Sequence, residues 1–515
     1  MKIVVIGGGT AGCISSLLFK KHFPSMDVTM IRSSEIGILG PGEGLTPSIN
    51  QFLKDLKIPM EEFIQGTGAT IKHGVMFNNW NSNGSSWFHG FNNFYSNAEN
   101  QDEFLKQYKF AINTKQNLNN LDYLYHVTKN KKINLSDKNQ YAFHIDAKKF
   151  IIFLEKVAEK NEIKIIDDKV VKINSNDIDK IDSVMTENNG AFDCDFVIDC
   201  SGFQRLVIGK HYNSEWESLS SVLPATKGLT CFLPQDNNFY PYTEATALKY
   251  GWSWKIPLQH RYGCGYVYDG DYITREEAEL ELKKLYGDSL EIVKEFDYNP
   301  GFFKTPWIKN CFANGLSSSF TEPIEATTIS SMINFMKYFL LYFFPKYLKE
   351  TLINENLNKV QDEFNHDIVN MQLCIASYLH AHYRTNRTDT DFWKSFNSKY
   401  PIPNPKLPGV DLPEFLKLSN LNIFNKDNIK PEGWRPYSWM ALYAGNGLHN
   451  NFIEFDNNED MVYNEYVNKI KDQSLIYQDD HLNFLQKINN NKGEKYERSK
   501  GTKKYKRPAR QTKIR

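Results

Sequence analysis

Disulfide and zinc chemistry have no foothold in this chain. Its seven cysteines (Cys13, Cys194, Cys200, Cys231, Cys264, Cys311 and Cys374) are odd in number, scattered, and never spaced as Cys-x-x-Cys. That argues against a disulfide framework and a zinc site, leaves no metal centre to expect, and fits a reducing compartment. A charge excess is missing too: 61 Lys and Arg balance 61 Asp and Glu, so no global field draws the chain to nucleic acid or a membrane surface. The longest apolar run, Phe335 to Phe344, is short of a membrane span and contains Lys337. No internal repeat is visible. The first residues, Met1-Lys2-Ile3-Val4-Val5-Ile6, read as a strand running into glycines and not as a signal peptide. A soluble, cytoplasmic protein is the expectation.

What is present is a large core in the making. The 515 residues are 41% apolar and 24% charged, a globular balance, and 14% aromatic. So many rings supply either flat-walled pockets or core filler. Residues 2–6 have the continuous apolar character of a strand buried on both faces. Gly7-Gly8-Gly9-Thr10-Ala11-Gly12 follows, matching G-x-G-x-x-G, then a helical pattern to about Phe23 and a second strand, Val28 to Ile31. In that context Gly7, Gly9, Thr10, Ala11 and Gly12 point to a dinucleotide, because the glycines permit a tight turn and close approach to a pyrophosphate. An acid to hold the ribose is expected after the second strand; Arg32 stands there, with Glu35 as a substitute. A second strand-to-glycine turn, Asp195 to Gly202, favours FAD over NAD, since a long flavin dinucleotide needs distant grips.

Other stretches admit two readings. Gly40 to Pro47 is a flexible connection, or backbone laid against a flat ring with Glu43 aimed at it. Lys72, within Ile71-Lys72-His73-Gly74-Val75, is by default a solvated edge lysine; buried, its pKa falls and it becomes a reactive donor. Residues 80–140 read as an insertion of loops and short helices. Gly251 to Pro257 and Tyr262 to Tyr268 read as paired antiparallel strands with aromatic faces. In Phe320-Thr321-Glu322-Pro323-Ile324-Glu325-Ala326-Thr327-Thr328-Ile329, acid, turn and helix start follow in order, which puts Glu325 and free amides at a helix N-terminus. An ordinary capped helix is the plainer reading. Residues 332–400 are mostly helical, a Pro-rich linker runs from Pro401 to Pro413, and a helical region ends near Gln486. From Lys487 to Arg515 there are 12 Lys or Arg against 2 acids, leaving a net of −10 elsewhere; such a tail is expected to be disordered.

Trp252-Ser253-Trp254-Lys255-Ile256-Pro257, taken with the N-terminal glycine motif, resembles the flavin-dependent halogenases of the tryptophan halogenase type. The resemblance spans most of residues 1–460. It implies an α/β fold: a FAD-binding module of glutathione-reductase or flavin-monooxygenase type with mixed sheet, and a largely helical C-terminal substrate subdomain. Residues 1–486 would be one unit (FAD box about 1–80 and 141–345, substrate-covering segments about 81–140 and 346–486), with 487–515 as the tail. The family's essential lysine maps to Lys72 and its active-site glutamate to Glu325. Trp252 and Trp254 would line a tunnel, Thr327 and Thr328 would bind halide, and Val170, Leu316 and Ile329 would touch the flavin. His382-Tyr383 with Arg387, Asp389, Phe392 and Trp393 fits a recurring family pattern. The implied chemistry uses FADH2 from a separate flavin reductase, oxygen and halide to make hypohalous acid. Lys72 hydrogen-bonds this acid or forms a haloamine, and an indole- or phenol-type arene is halogenated. Thr328 stands where the family has glycine, which opens bromide or iodide as the preferred halide. The rival functions are a FAD-dependent aromatic hydroxylase and a non-catalytic flavoprotein. A homo-oligomer is compatible with the sequence.

Overall fold

Lys2–Ile6 (β1), Thr10–His22 (α1) and Asp27–Arg32 (β2) form the expected strand–helix–strand unit. Parallel strands flank β1 in the sheet, Phe196–Asp199 on one side and β2 on the other, and both its faces are covered: Ile3 and Val5 pack in the cluster that holds Ile14 and Leu17 of α1, Val4 and Ile6 in the one that holds Val207 and Ile208. The full six-stranded sheet runs Trp307–Ile308, Cys311–Ala313, Phe196–Asp199, β1, β2, Lys164–Asp167. Asp199 therefore ends beside Ile6, and the two strand-to-glycine turns meet. Gly7 (φ +115°) shows how closely: a Cβ there would lie 2.1 Å from the Cys200 carbonyl oxygen. A computed structural model describes the chain apart from residues 36–39, 41, 83, 92–97, 354–355, 400–433, 435, 448–458, 477 and 491–515.

The second large sheet has seven strands, in the order Glu291–Asp297, Lys227–Pro234, Arg261–Tyr268, Gly251–Pro257, Thr243–Ala247, Gly74–Asn78, Ser86–Gly90. All pairings are antiparallel except Thr243–Ala247 with Gly74–Asn78. The strand Ser86–Gly90 lies within the stretch read as an insertion, so that region contributes an edge of the main sheet as well as helices such as Ala98–Asn113. A small sheet of Glu43–Gly44, Ala142–Ile145 and Thr70–Lys72 carries Lys72.

The C-terminal half is helical: Thr327–Tyr338, Phe344–Ile353, Leu357–His382 and Asp391–Lys399, then Pro436–Gly445 and Glu459–Ser474. The Pro401–Pro413 linker lies outside the described residues. The tail boundary set at Lys487 falls inside a helical stretch, 481–490, where Ile488 is buried. All seven cysteines are free and buried. Among the described residues no helix is long and apolar enough to cross a membrane, and no cluster of His, Cys, Asp or Glu is suited to a metal.

Candidate active site

Lys72 is in the interior, 1% exposed, so the default of a solvated edge lysine fails here. All three residues of its strand, Thr70–Lys72, are buried, and desolvation lowers its pKa to about 8 although the Glu325 carboxylate opposes that fall. Its Nζ lies 5.4 Å from the Phe91 ring centroid. It also lies 2.9 Å from where a Cβ on Gly44 would fall, a point 3.3 Å from Ala326 Cβ and 3.5 Å from Thr243 Oγ1. Glycine at 44 is what lets the lysine tip reach this corner.

Glu325 comes from the turn before the helix Thr327–Tyr338. Ala326, in the left-handed region (φ 57°), makes that turn at a backbone cost of about 1 kcal/mol. Burial alone would raise the Glu325 pKa, but the charge and hydrogen bonds of His89 and His382 prevail and hold it at about 2. His89 Nδ1 is 2.9 Å and His382 Nε2 3.1 Å from Oε1. The Tyr378 carbonyl, 2.8 Å from His382 Nδ1, can only accept, so Nδ1 carries a hydrogen. Both histidine bonds end on Oε1; no hydrogen bond among the described residues uses Oε2.

Glu322, three residues earlier, is buried but shifted the opposite way, to about 7, by desolvation. Its Oε2 accepts from Trp252 Nε1 (3.0 Å) and Tyr383 OH (2.5 Å), while Oε1 has no hydrogen-bond partner among the described residues. Two carboxylates pushed apart in this way mark a site prepared for proton chemistry. Trp252 and Trp254 alternate on one face of their strand, ring centroids 6.0 Å apart, both buried.

On the nucleotide side, Gly9 has open space where a Cβ would point. α1 has neither a side-chain cap nor an acid in its first turn, so its amides are unclaimed and fit a diphosphate. Arg32 is engaged by Glu155 (3.2 Å) and Asp167 (3.5 Å); acids do reach the end of β2, but from neighbouring elements, and Glu35 is exposed in a turn. Glu43 is half-buried, its pKa raised to about 7 by desolvation. The helix beginning at Thr327 has no side-chain cap. A small cleft over it is lined by Asn314, Gly315, Thr321, Thr327, Thr328 and Ser331. Leu316 is next to that lining, and Ile329 is buried on the same helix. Val170 instead opens a separate antiparallel sheet and packs on the cluster holding Ile31 and Val197.

Sequence reading missed His89 altogether and gave His382 no role. Its one usable signal was the pair His382-Tyr383 at the end of a long helix. Only the fold brings these residues onto Glu325 and Glu322.

A glycine loop between parallel strands, joined to a buried lysine–glutamate site behind paired tryptophans, defines an oxidoreductase of flavoprotein type. The family model described as tryptophan halogenase matches residues 2–454; the chain belongs to that family and is an FADH2-dependent halogenase. It is 27% identical to the tryptophan 6-halogenase SttH of Streptomyces toxytricini over 87% of this chain and 89% of that enzyme. With the tryptophan 7-halogenase RebH of Lentzea aerocolonigenes it shares 29% over 76% and 78% of the two chains. The solved structure of Xcc4156, a flavin-dependent halogenase from Xanthomonas campestris, superposes with a TM-score of 0.82 at 25% identity, covering 95% of this chain and 98% of that one.

Proposed function

We propose that the chain halogenates an electron-rich arene of indole or phenol type, with Lys72 and Glu325 as the catalytic pair. The observation that carries this reading is a buried lysine within electrostatic reach of the buried Glu325 carboxylate, whose Oε2 no hydrogen bond among the described residues uses. Reduced flavin, supplied by a separate reductase, provides with oxygen the oxidising equivalent that converts halide to hypohalous acid. Gly7, Gly9, Thr10, Ala11 and Gly12 hold its diphosphate, and Glu43, Leu316 and Ile329 bound its ring. Hypohalous acid is a weak electrophile until it is hydrogen-bonded, and the Lys72 ammonium in a water-poor site does this. Glu325 Oε2 takes the arene proton. Trp252, fixed by Glu322, and Trp254 wall the passage and keep organic substrates from the flavin. The aromatic faces of Phe91, Tyr378 and Trp434 (the last two stacked at 4.0 Å) suit a flat substrate.

The amides of Thr327 and Thr328 bind the halide, and the Thr328 side chain reshapes the pocket in favour of bromide or iodide. A panel of chloride, bromide and iodide against indoles and phenols, with reduced FAD and oxygen, tests this reading. Bromination or iodination ahead of chlorination is expected, with Thr328→Gly moving the preference toward chloride. Hydroxylated product with no halogenated product would establish the monooxygenase reading instead.

Gly44→Ala is a sharper probe of geometry. The added Cβ meets the flexible end of Lys72 most closely, then the Ala326 methyl and the Thr243 hydroxyl, so the protein should fold. Displacing the lysine tip should still lower halogenation by about 10², read as product per flavin oxidised.

A further inference from the structure

Lys72 sits on a strand of only three residues, Thr70–Lys72, at the edge of the small sheet. Ala142–Ile145 supplies its ladder on one side. On the other side no strand of that sheet stands among the described residues, yet Ile71 is fully buried. A backbone amide in such a place needs an acceptor.

That acceptor comes from 410 residues away: the Ile71 amide, next to Lys72 in the chain, donates to His481 Nε2 at 2.9 Å. Because Nε2 accepts, the neutral ring carries its hydrogen on Nδ1. Nδ1 is itself buried, with no hydrogen-bond partner among the described residues. Leucine would bury no such orphan, so what histidine contributes here is the acceptor. Burial and the nearby His73, against the Asp480 carboxylate, hold the His481 pKa at about 3. The ring is therefore neutral, and Nε2 bare, across the neutral and alkaline range. The Phe239 ring meets it edge-on, with centroids 5.0 Å apart.

The segment that carries His481 is tied down before and after it. Asp479–Asp480 pairs with Lys132–Ile133, and the His481 amide donates to the Lys131 carbonyl at 3.2 Å. In the helical stretch 481–490, Leu485 and Ile488 are buried in the main core. The far end of that stretch reaches the start of the same short strand. Asn489 Nδ2 donates to Gln259 Oε1 at 2.9 Å, and Gln259 Nε2 donates to the Ala69 carbonyl at 2.7 Å, one residue before Thr70. Gln65, on the helix Met60–Thr67 that leads into the strand, donates from Nε2 to the Ile488 carbonyl at 2.6 Å.

We propose that residues 479–490 form a clasp on the catalytic strand, with His481 as the positioning residue for Lys72. A three-residue strand with one ladder partner has little of its own to hold it in place, and an ångström of misplacement at a reacting group costs about 10² in rate. The clasp fixes the backbone from which the lysine side chain extends. None of its hydrogen bonds involves the glycine loop after β1 or the helix that starts at Thr327. This rests on the reading of Lys72 as catalytic.

The test compares His481→Leu, which keeps bulk and removes the acceptor, with His481→Gln, which offers a side-chain carbonyl at similar reach. Exchange of the Ile71 amide, followed by NMR in the full-length protein with isotope-labelled isoleucine, should be at least about 10-fold faster in the leucine variant and slow again in the glutamine one. Ile71→Val identifies the signal by removing it. Product formed per flavin oxidised should fall about 10-fold in His481→Leu and recover in His481→Gln, with flavin oxidation itself unchanged. The midpoint of the pH profile, about 8 for buried Lys72, should move up toward the ordinary lysine value as water reaches the loosened strand. A loss of overall stability alone would not move it. If the leucine variant does not fold, Asn489→Ala, at an exposed position, carries the comparison with a smaller fall in the same ratio. A wild-type product ratio in His481→Leu, or in Asn489→Ala where that variant stands in, would overturn the clasp, as would a loss that glutamine does not restore. The exchange measurement needs no turnover, so the two readings fail separately. Halogenation surviving in Lys72→Ala would remove the catalytic role of Lys72, while faster Ile71 exchange in His481→Leu would still show the clasp holding its strand.

Discussion

Lys72→Ala is expected to lower arene halogenation by more than about 10² while reduced flavin is still consumed at the wild-type rate. The lysine belongs to the small sheet that also carries Gly44 and His144, and the glycine loop at the end of β1 is a separate element. Its removal should therefore spare the flavin half-reaction. Parallel loss of flavin oxidation would assign Lys72 a different role. The pH profile separates the two chemistries open to a lysine. An ammonium that hydrogen-bonds hypohalous acid works in its protonated form, so with a pKa of about 8 halogenation should be level below that pH and fall as pH rises through it. An amine that forms a haloamine gives the reverse limb. Stability supplies an independent reading. The folded-state pKa is depressed from 10.5 to about 8, so the buried ammonium destabilises the fold by roughly 3 kcal/mol. That penalty is fully present below pH 8 and vanishes as pH rises to 10.5. Lys72→Met, which fills the same volume, should then melt above the wild type at pH 7 and lose its advantage across that window. Such a trade of stability for activity is common at functional sites.

Lys72 also shows where sequence reading stops. The strand around it was legible from Ile71 and Val75, but burial was not. A lone lysine among apolar residues reads as solvated until the elements around it are known, and the strand that pairs with it, Ala142–Ile145, comes from far along the chain. The N-terminal unit was legible because all its determinants lie within 32 consecutive residues. The pairing of Trp252–Pro257 with its neighbour was legible too, because the alternation of large rings is local. Glu325 could be placed at a helix start from its own neighbours, yet its partners could not: His89 and His382 lie 236 and 57 residues away. His89 falls in a stretch that reads as an insertion, and only its place on an edge strand of the seven-stranded sheet brings it to the carboxylate. Val170 begins a strand that pairs with Ile181–Thr186 in a separate sheet, a placement that its spacing from Leu316 and Ile329 does not reveal. A residue's spacing from a motif says little once a chain crosses from one sheet to another.

Glu325→Gln should cut arene halogenation by about 10² to 10⁴ and leave hypohalous acid production intact. Glutamine matches glutamate in shape, so the loss would be electrostatic. Its carbonyl can replace Oε1 and still accept from His89 and His382, but the amide nitrogen then takes the place of Oε2 and puts a donor where a lone pair stood. The arene proton has nowhere to go. Hypohalous acid formed upstream would escape instead, and a soluble scavenger such as monochlorodimedone should capture more of it from the variant than from the wild type. Wild-type arene halogenation in the variant would dismiss Glu325 as the base, and loss of scavenger halogenation as well would move its role to the flavin half-reaction. The two histidines make a further distinction. They hold the Glu325 carboxyl at about 2, so the wild type should show no acid limb attributable to this residue above about pH 4. His382→Asn removes one of those two influences while His89 remains. The Glu325 pKa should rise, since burial is then less fully opposed, and an acid limb should enter the measurable range. Its midpoint reports how much of the carboxylate's charge His382 sustains.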